Sequence, residues 1–182
     1  DDEFDTVFYT YGLELYGDMP LIEPLEYKEV NRIRDFVIVI DTSASTSGDL
    51  IQKFMQKTYN ILKASENFFK QVNLYLIQAD MEVQEVTYID DLSKLEQYIA
   101  HLNLKGKGGT DFRPAFEYVN TLLEQEKFRK LKGLIYFTDG YGTFPQRKPP
   151  YDTAFVFMRD ESYEPEVPPW AIKLVLEEED LV

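Results

Sequence analysis

Cysteine is absent from the sequence, which removes disulfides, thiolate metal sites and cysteine nucleophiles together. Histidine is almost absent. His101 stands alone, so a zinc-type site lacks a second imidazole, and a lone histidine beside Leu102 on a helix reads as a surface residue. Positive charge is scarce as well: 19 Lys and Arg face 33 Asp and Glu, for a net charge of −14 at pH 7. That balance argues against a phosphate backbone or an anionic membrane as the main partner. It favours basic partners and divalent cations, or serves solubility alone. No apolar run nears the ~18 residues of a membrane span, and no basic-then-apolar start reads as a signal peptide. A cytoplasmic protein that engages neither nucleic acid nor membrane is the expectation. The start at Asp1-Asp2-Glu3, without methionine, is expected of a piece cut from a longer chain.

What the chain has in plenty is aromatic residues, 13 Tyr and 13 Phe in 182 residues, so one packed core is affordable without cross-links. Residues 1–32, rich in Tyr, Asp, Glu and Pro without a sustained period, read as an extended lead-in with an edge strand at 13–16. A single domain is expected over 33–182. There Phe36-Val37-Ile38-Val39-Ile40 is an unbroken β-branched run, the pattern of a strand buried on both faces. Further strands are predicted at 72–78, at 83–89 (more polar), and at 133–138, 153–158 and 171–176. Helices are predicted from a Ser47 or Asp49 cap through 69, after Asp90 or Asp91, and over 112–126, where Pro114 falls in the first turn. Strands alternating with amphipathic helices give an α/β fold, doubly wound, with a mostly parallel sheet of about six strands.

In such sheets the functional loops sit at the carboxyl ends of the strands. Three segments carry side-chain oxygens there. Asp41, Ser43 and Ser45 follow the first strand; Thr110 and Asp111 lie on the glycine-rich stretch 103–110; Asp139 ends the strand after Thr138. Two carboxylates and three hydroxyls can converge on one hard divalent cation, Mg²⁺ or Mn²⁺. Each segment alone has a plainer reading, since strand-to-helix turns carry Asp and Ser for capping. Three in one set make the case for a site.

Asp-x-Ser-x-Ser after a hydrophobic strand, a distant Gly-Gly-Thr-Asp and then Thr-Asp-Gly resemble the metal-ion-dependent adhesion site of von Willebrand factor A (VWA) domains. The resemblance spans roughly 34–176. It implies a Rossmann-like three-layer fold in which Ser43, Ser45 and Thr110 touch the metal, while Asp41 and Asp139 act directly or through waters. It also implies a protein partner whose Asp or Glu fills the open coordination position. Tyr11-Gly12-Leu13-Glu14-Leu15-Tyr16, Pro20-Leu21-Ile22-Glu23-Pro24-Leu25, Gly109-Thr110-Asp111-Phe112-Arg113-Pro114 and Tyr136-Phe137-Thr138-Asp139-Gly140-Tyr141-Gly142 resemble a narrower bacterial group of VWA-like domains, those that follow a zinc-metallopeptidase-like domain. Related domains often work beside AAA-type ATPases, so such an ATPase is an implied partner.

Rival readings remain. Ile40-Asp41-Thr42-Ser43-Ala44 resembles an aspartic-peptidase turn with Asp139 as second carboxylate, but the expected glycine is Ser43 and that fold is nearly all-β. A haloacid-dehalogenase-type site would need Asp at Ser43, and no Gly-Lys-Ser/Thr follows a strand for a nucleotide. A metal-free scaffold is the third alternative. Tyr141 and Phe144 are expected as an apolar rim beside the site, Trp170 as a packing anchor, Arg113 and Arg147 as partner contacts or surface ion pairs, and 177–180 as a solvated acidic end.

Overall fold

The computed structural model describes residues 35–64 and 72–181. Its elements run in order β1 (Asp35–Asp41), α1 (Gly48–Ala64), β2 (Asn73–Ala79), β3 (Val83–Ile89), α2 (Leu92–Ala100), α3 (Arg113–Glu124), β4 (Leu131–Phe137), β5 (Asp152–Met158) and β6 (Ile172–Leu176), with a closing 3₁₀ turn at Glu178–Leu181. They form one six-stranded sheet in the order β3-β2-β1-β4-β5-β6. Every pairing is parallel except β2 with β3, a tight antiparallel hairpin. The expected α/β, doubly wound, mostly parallel architecture is therefore what the chain adopts.

The unbroken run in β1 follows from burial on two sides. Phe36, Ile38 and Ile40 enter the core under α1 and α2, while Val37 and Val39 enter the core under α3. Edge strand β3, only partly covered, can keep Gln84, Glu85 and Thr87 among its residues. α1 starts after Ser47, whose hydroxyl accepts from Leu50 N at 3.4 Å, and buries Ile51, Phe54, Met55, Tyr59 and Leu62. Asp91 caps α2 by accepting from Lys94 N.

Some boundaries move. The second and fourth strands are offset by one or two residues from 72–78 and 133–138. α3 begins at Arg113, with the buried Phe112 at its N-cap donating its N–H to Thr143 O, and it ends before Glu126, whose φ of 57° cannot continue a helix. The edge strand expected at 13–16, the 1–32 lead-in and the helical stretch beyond Ala64 lie outside the described residues.

The two faces are dressed unequally. Among the described residues α1 and α2 cover one, but the other carries α3 alone, because the crossovers 138–151 and 159–171 contain no helix. Parallel strands are usually joined through one. Here side chains from those loops fill the gap: Phe144, Tyr151, Val167 and Trp170 all join the α3-side core. Trp170 packs edge-on against Phe116, with centroids 6.2 Å apart, as the expected anchor. Phe144 is half-buried and turns its ring toward the core, 4.7 Å from Phe112 and 4.9 Å from Phe155, rather than standing out as a free apolar rim.

β1 is where the winding reverses, with β2 on one side and β4 on the other. The ends of β1 and β4 therefore open a crevice between diverging connections, the usual place for a ligand in such sheets. Asp41 and Asp139 sit there.

Candidate metal centre

Asp41 closes β1 and is completely buried. Its two carboxylate oxygens are held from opposite sides: Ser43 N donates to Oδ1 at 2.8 Å and Thr138 Oγ1 donates to Oδ2 at 2.5 Å. Thr138 is fixed in turn by accepting from Gly140 N at 3.1 Å. Burial pushes the Asp41 carboxyl above its ordinary value, the hydrogen bonds from Ser43 and Thr138 pull it back, and the nearby charge of Asp139 adds to the rise. The net direction is upward. A carboxylate kept this dry is costly to ionise without a positive partner.

The turn after Asp41 winds its hydroxyls into one group. Ser43 Oγ lies 3.5 Å from Ser45 Oγ and 3.3 Å from Thr46 Oγ1. The Ser45 hydroxyl donates to the Asp139 carboxylate, joining the loop after β1 to the loop after β4. Asp139 also accepts from Tyr141 N at 3.3 Å. Four of the five expected residues are therefore bonded, directly or through Thr138, around one crevice. Thr110, on the glycine-rich loop, is half-buried. Its methyl group lies against Gly142, where a side-chain carbon would come within 2.8 Å, and Phe112 N donates to Thr143 O at 3.0 Å. No hydrogen bond joins the Thr110 hydroxyl to the other four among the described residues.

Sequence reading missed the residue that shapes the glycine-rich loop. Asp80, buried at the end of β2, accepts from Gly108 N at 3.0 Å, Glu82 N at 3.0 Å and Gln84 Nε2 at 2.9 Å. Burial works to raise its pKa, yet these donors outweigh it and hold the carboxyl below the ordinary value. Neighbouring Gln78 accepts from Lys105 N at 2.8 Å, so the end of β2 grips the loop twice. Lys107 N donates to Thr42 O at 2.8 Å and Ala44 N to Gly108 O at 3.1 Å, stitching the loop to the Asp41 turn. Gly106, with φ of 119°, must be glycine: a Cβ there would lie 2.8 Å from both Asp80 Oδ2 and Thr42 Oγ1. Position was the available signal, because Asp80 ends a strand adjacent to β1.

Asp111 faces elsewhere. It forms a two-bond fork with Arg113, Nε at 2.9 Å and Nη2 at 2.8 Å, and accepts from Arg113 N at 3.0 Å. The Arg113 hydrogen bonds hold its carboxyl below the ordinary value. Tyr141 does stay at the surface beside Asp139, 49 % exposed and stacked on Tyr163 with centroids 4.3 Å apart.

The crevice gathers oxygen donors only, two carboxylates and serine and threonine hydroxyls. Among the described residues no group of three or more Asp, Glu, His or Cys side chains is arranged to hold a metal ion by itself. This donor set fits a hard cation that keeps some of its waters rather than one that needs a full carboxylate cage. No helix among the described residues is long and apolar enough to cross a membrane.

Comparison with known proteins agrees with this architecture. A family model described as VWA-like domain (DUF2201) matches residues 36–177. No curated protein matches the chain. Among solved structures, an aerotolerance-related membrane protein from Bacteroides fragilis is 11 % identical with a TM-score of 0.54, over 81 % of this chain and 93 % of that one. A von Willebrand factor type A structure from Catenulispora acidiphila is 13 % identical with a TM-score of 0.49, over 70 % of this chain and 33 % of that one. The vWF domain of the type V pili tip protein Mfa5 from Porphyromonas gingivalis is 24 % identical with a TM-score of 0.41, over 59 % and 38 %. The first of these likenesses extends to the fold alone. With most of its length matched by that family model, the chain belongs to the VWA-like domain (DUF2201) family.

Proposed function

We propose that this domain is a divalent-cation-dependent protein-interaction module rather than an enzyme. Asp41, Ser43, Ser45, Thr110 and Asp139 hold Mg²⁺ or Mn²⁺, and an Asp or Glu of the partner completes the coordination. An AAA-type ATPase is a partner class the resemblance suggests. The observation that carries the reading is Asp41: a wholly buried carboxylate with a raised pKa, beside a second carboxylate and two serine hydroxyls at the switch point of the sheet. The cation supplies the positive charge that such a carboxylate lacks and an electrophilic position for an incoming carboxylate.

The peptidase alternative has little support. Asp41 and Asp139 sit on a parallel α/β sheet and share no hydrogen bond, whereas a proton-sharing dyad brings its carboxylates together. A metal-free scaffold has one observation in its favour, since Ser45 and Thr138 already satisfy both carboxylates with hydrogen bonds. Thermal melting decides between them. At Mn²⁺ near 100 times its Kd, the wild type gains about 2.7 kcal/mol of stability and Asp41→Ala gains none. Identical melting with and without Mn²⁺ in the wild type would remove the cation reading and leave the scaffold.

A further inference from the structure

We propose that the cleft between α3 and the β4–β5 crossover is a second docking site, independent of the cation, for an acidic peptide segment carrying an aromatic anchor. The cleft exists because the crossover 138–151 has no helix. A helix there would pack beside α3; a loop leaves a cavity of 540 Å³, inside the ~300–1,000 Å³ range of ligand-sized clefts. α3 lines one wall with Arg113, Phe116 and Asn120, which follow one another at helix-neighbour spacing. The crossover lines the other with Phe144, Arg147 and Lys148, and Tyr151 also borders the cavity.

Its chemistry has two parts. Phe116 and Tyr151 are buried and Phe144 half-buried, giving an apolar lining, and the Tyr151 hydroxyl is buried with no hydrogen-bond partner among the described residues. Arg147 and Lys148 are exposed, and neither makes an ion pair among the described residues. Arg113 adds a third cation, tied to Asp111, and Glu117 is the single acid on the lining. In a chain of net charge −14, the unpaired Arg147 and Lys148 outweigh Glu117 and leave the cleft locally positive. A basic segment is repelled there, and a purely apolar one leaves the guanidinium and ammonium unused. An acidic segment with a Phe or Tyr uses both, its ring on the apolar lining and its carboxylates on Arg147 and Lys148. Over most of the remaining surface the same segment meets charge of its own sign, which confines it to the cleft.

The test is fluorescence anisotropy with a labelled Glu-Asp-Phe-Glu-Asp-Phe-Glu peptide on the whole chain. The wild type binds it, and raised salt weakens the binding. Arg147→Glu with Lys148→Glu lowers affinity by about tenfold or more. Asn120→Trp, which fills the cleft without altering charge, also abolishes binding. Both sites are exposed, and circular dichroism confirms that the variants are folded. EDTA and Asp41→Ala leave the binding unchanged, so failure of the metal reading and failure of this one are separable. Absence of binding, or equal binding by the charge-reversed variant, overturns the proposal. So does displacement by a short oligonucleotide at matching affinity, which would make the cleft a phosphate site.

Discussion

At the scale of single residues, two buried aspartates at neighbouring strand ends behave oppositely, and pH separates them. Asp41 has a folded pKa raised above its unfolded value by burial. Its ionisation therefore opposes folding: the penalty is absent below the unfolded value of about 3.9 and grows as pH rises through the interval up to the folded value. Asp41→Asn without cation should melt at pH 7 no lower than the wild type, while losing the Mn²⁺-dependent rise. A drop of several degrees in the cation-free variant would show instead that Asp41 is structural. Asp80 has the reverse sign. Its folded pKa is lowered by the donors around it, so it stabilises above the unfolded value and that contribution is lost as pH falls through the lower, folded one. Asp80→Asn should cost about 1–3 kcal/mol at pH 7 by leaving loop donors poorly matched, and should flatten the acid limb of a urea-midpoint-against-pH curve. An unchanged acid limb would count against this role. Asp41 was legible because its serines follow it in the sequence. Asp80 was not, because its partners Gly108, Glu82 and Gln84 are backbone amides and a side-chain amide that form no pattern in sequence.

At the scale of elements, the buried strands announced themselves. The runs in β1, β4 and β5 are apolar without alternation because both faces of the sheet are covered, whereas β3, an edge strand, mixes polar residues in and buries only Ile89 fully. What could not be read was how an uncovered face is filled. Pro145, Pro149 and Pro150 argue against a helix in the β4–β5 crossover, but no spacing says that Phe144 turns inward to meet Phe112 and Phe155. Phe155, wholly buried, lies within ring-contact range of Phe112, Phe116, Tyr136, Phe144 and Trp170. Phe155→Ala should therefore cost about 3–5 kcal/mol, measured by urea unfolding. The loops make a sharper contrast. A Cβ on Gly140, at φ of 94°, would lie 2.7 Å from Pro165, whereas one on Gly109 meets nothing within 4 Å. Gly140→Ala should destabilise by more than ~1 kcal/mol and Gly109→Ala by no more than ~0.5 kcal/mol. Equal midpoints for the two would contradict the packing described for the loop after β4.

At the scale of the whole molecule, composition and topology act together. A net charge of −14 draws divalent cations toward the surface, and the winding reversal at β1 supplies one crevice where oxygen donors from two distant segments meet. The bond that closes that crevice joins Ser45 to Asp139, 94 positions apart in the chain. Such a junction has a kinetic meaning. Residues 41–45 leave β1 early and Asp139 follows β4 late, so the two halves are in register only once β1 and β4 have paired and the long intervening loop has been closed. A ligand that needs both halves recognises the finished sheet and has little purchase on the folding transition state. In stopped-flow experiments Mn²⁺ should accordingly slow unfolding and leave the refolding rate nearly unchanged. A cation that accelerated refolding instead would mean that the two halves meet early, before the sheet is complete.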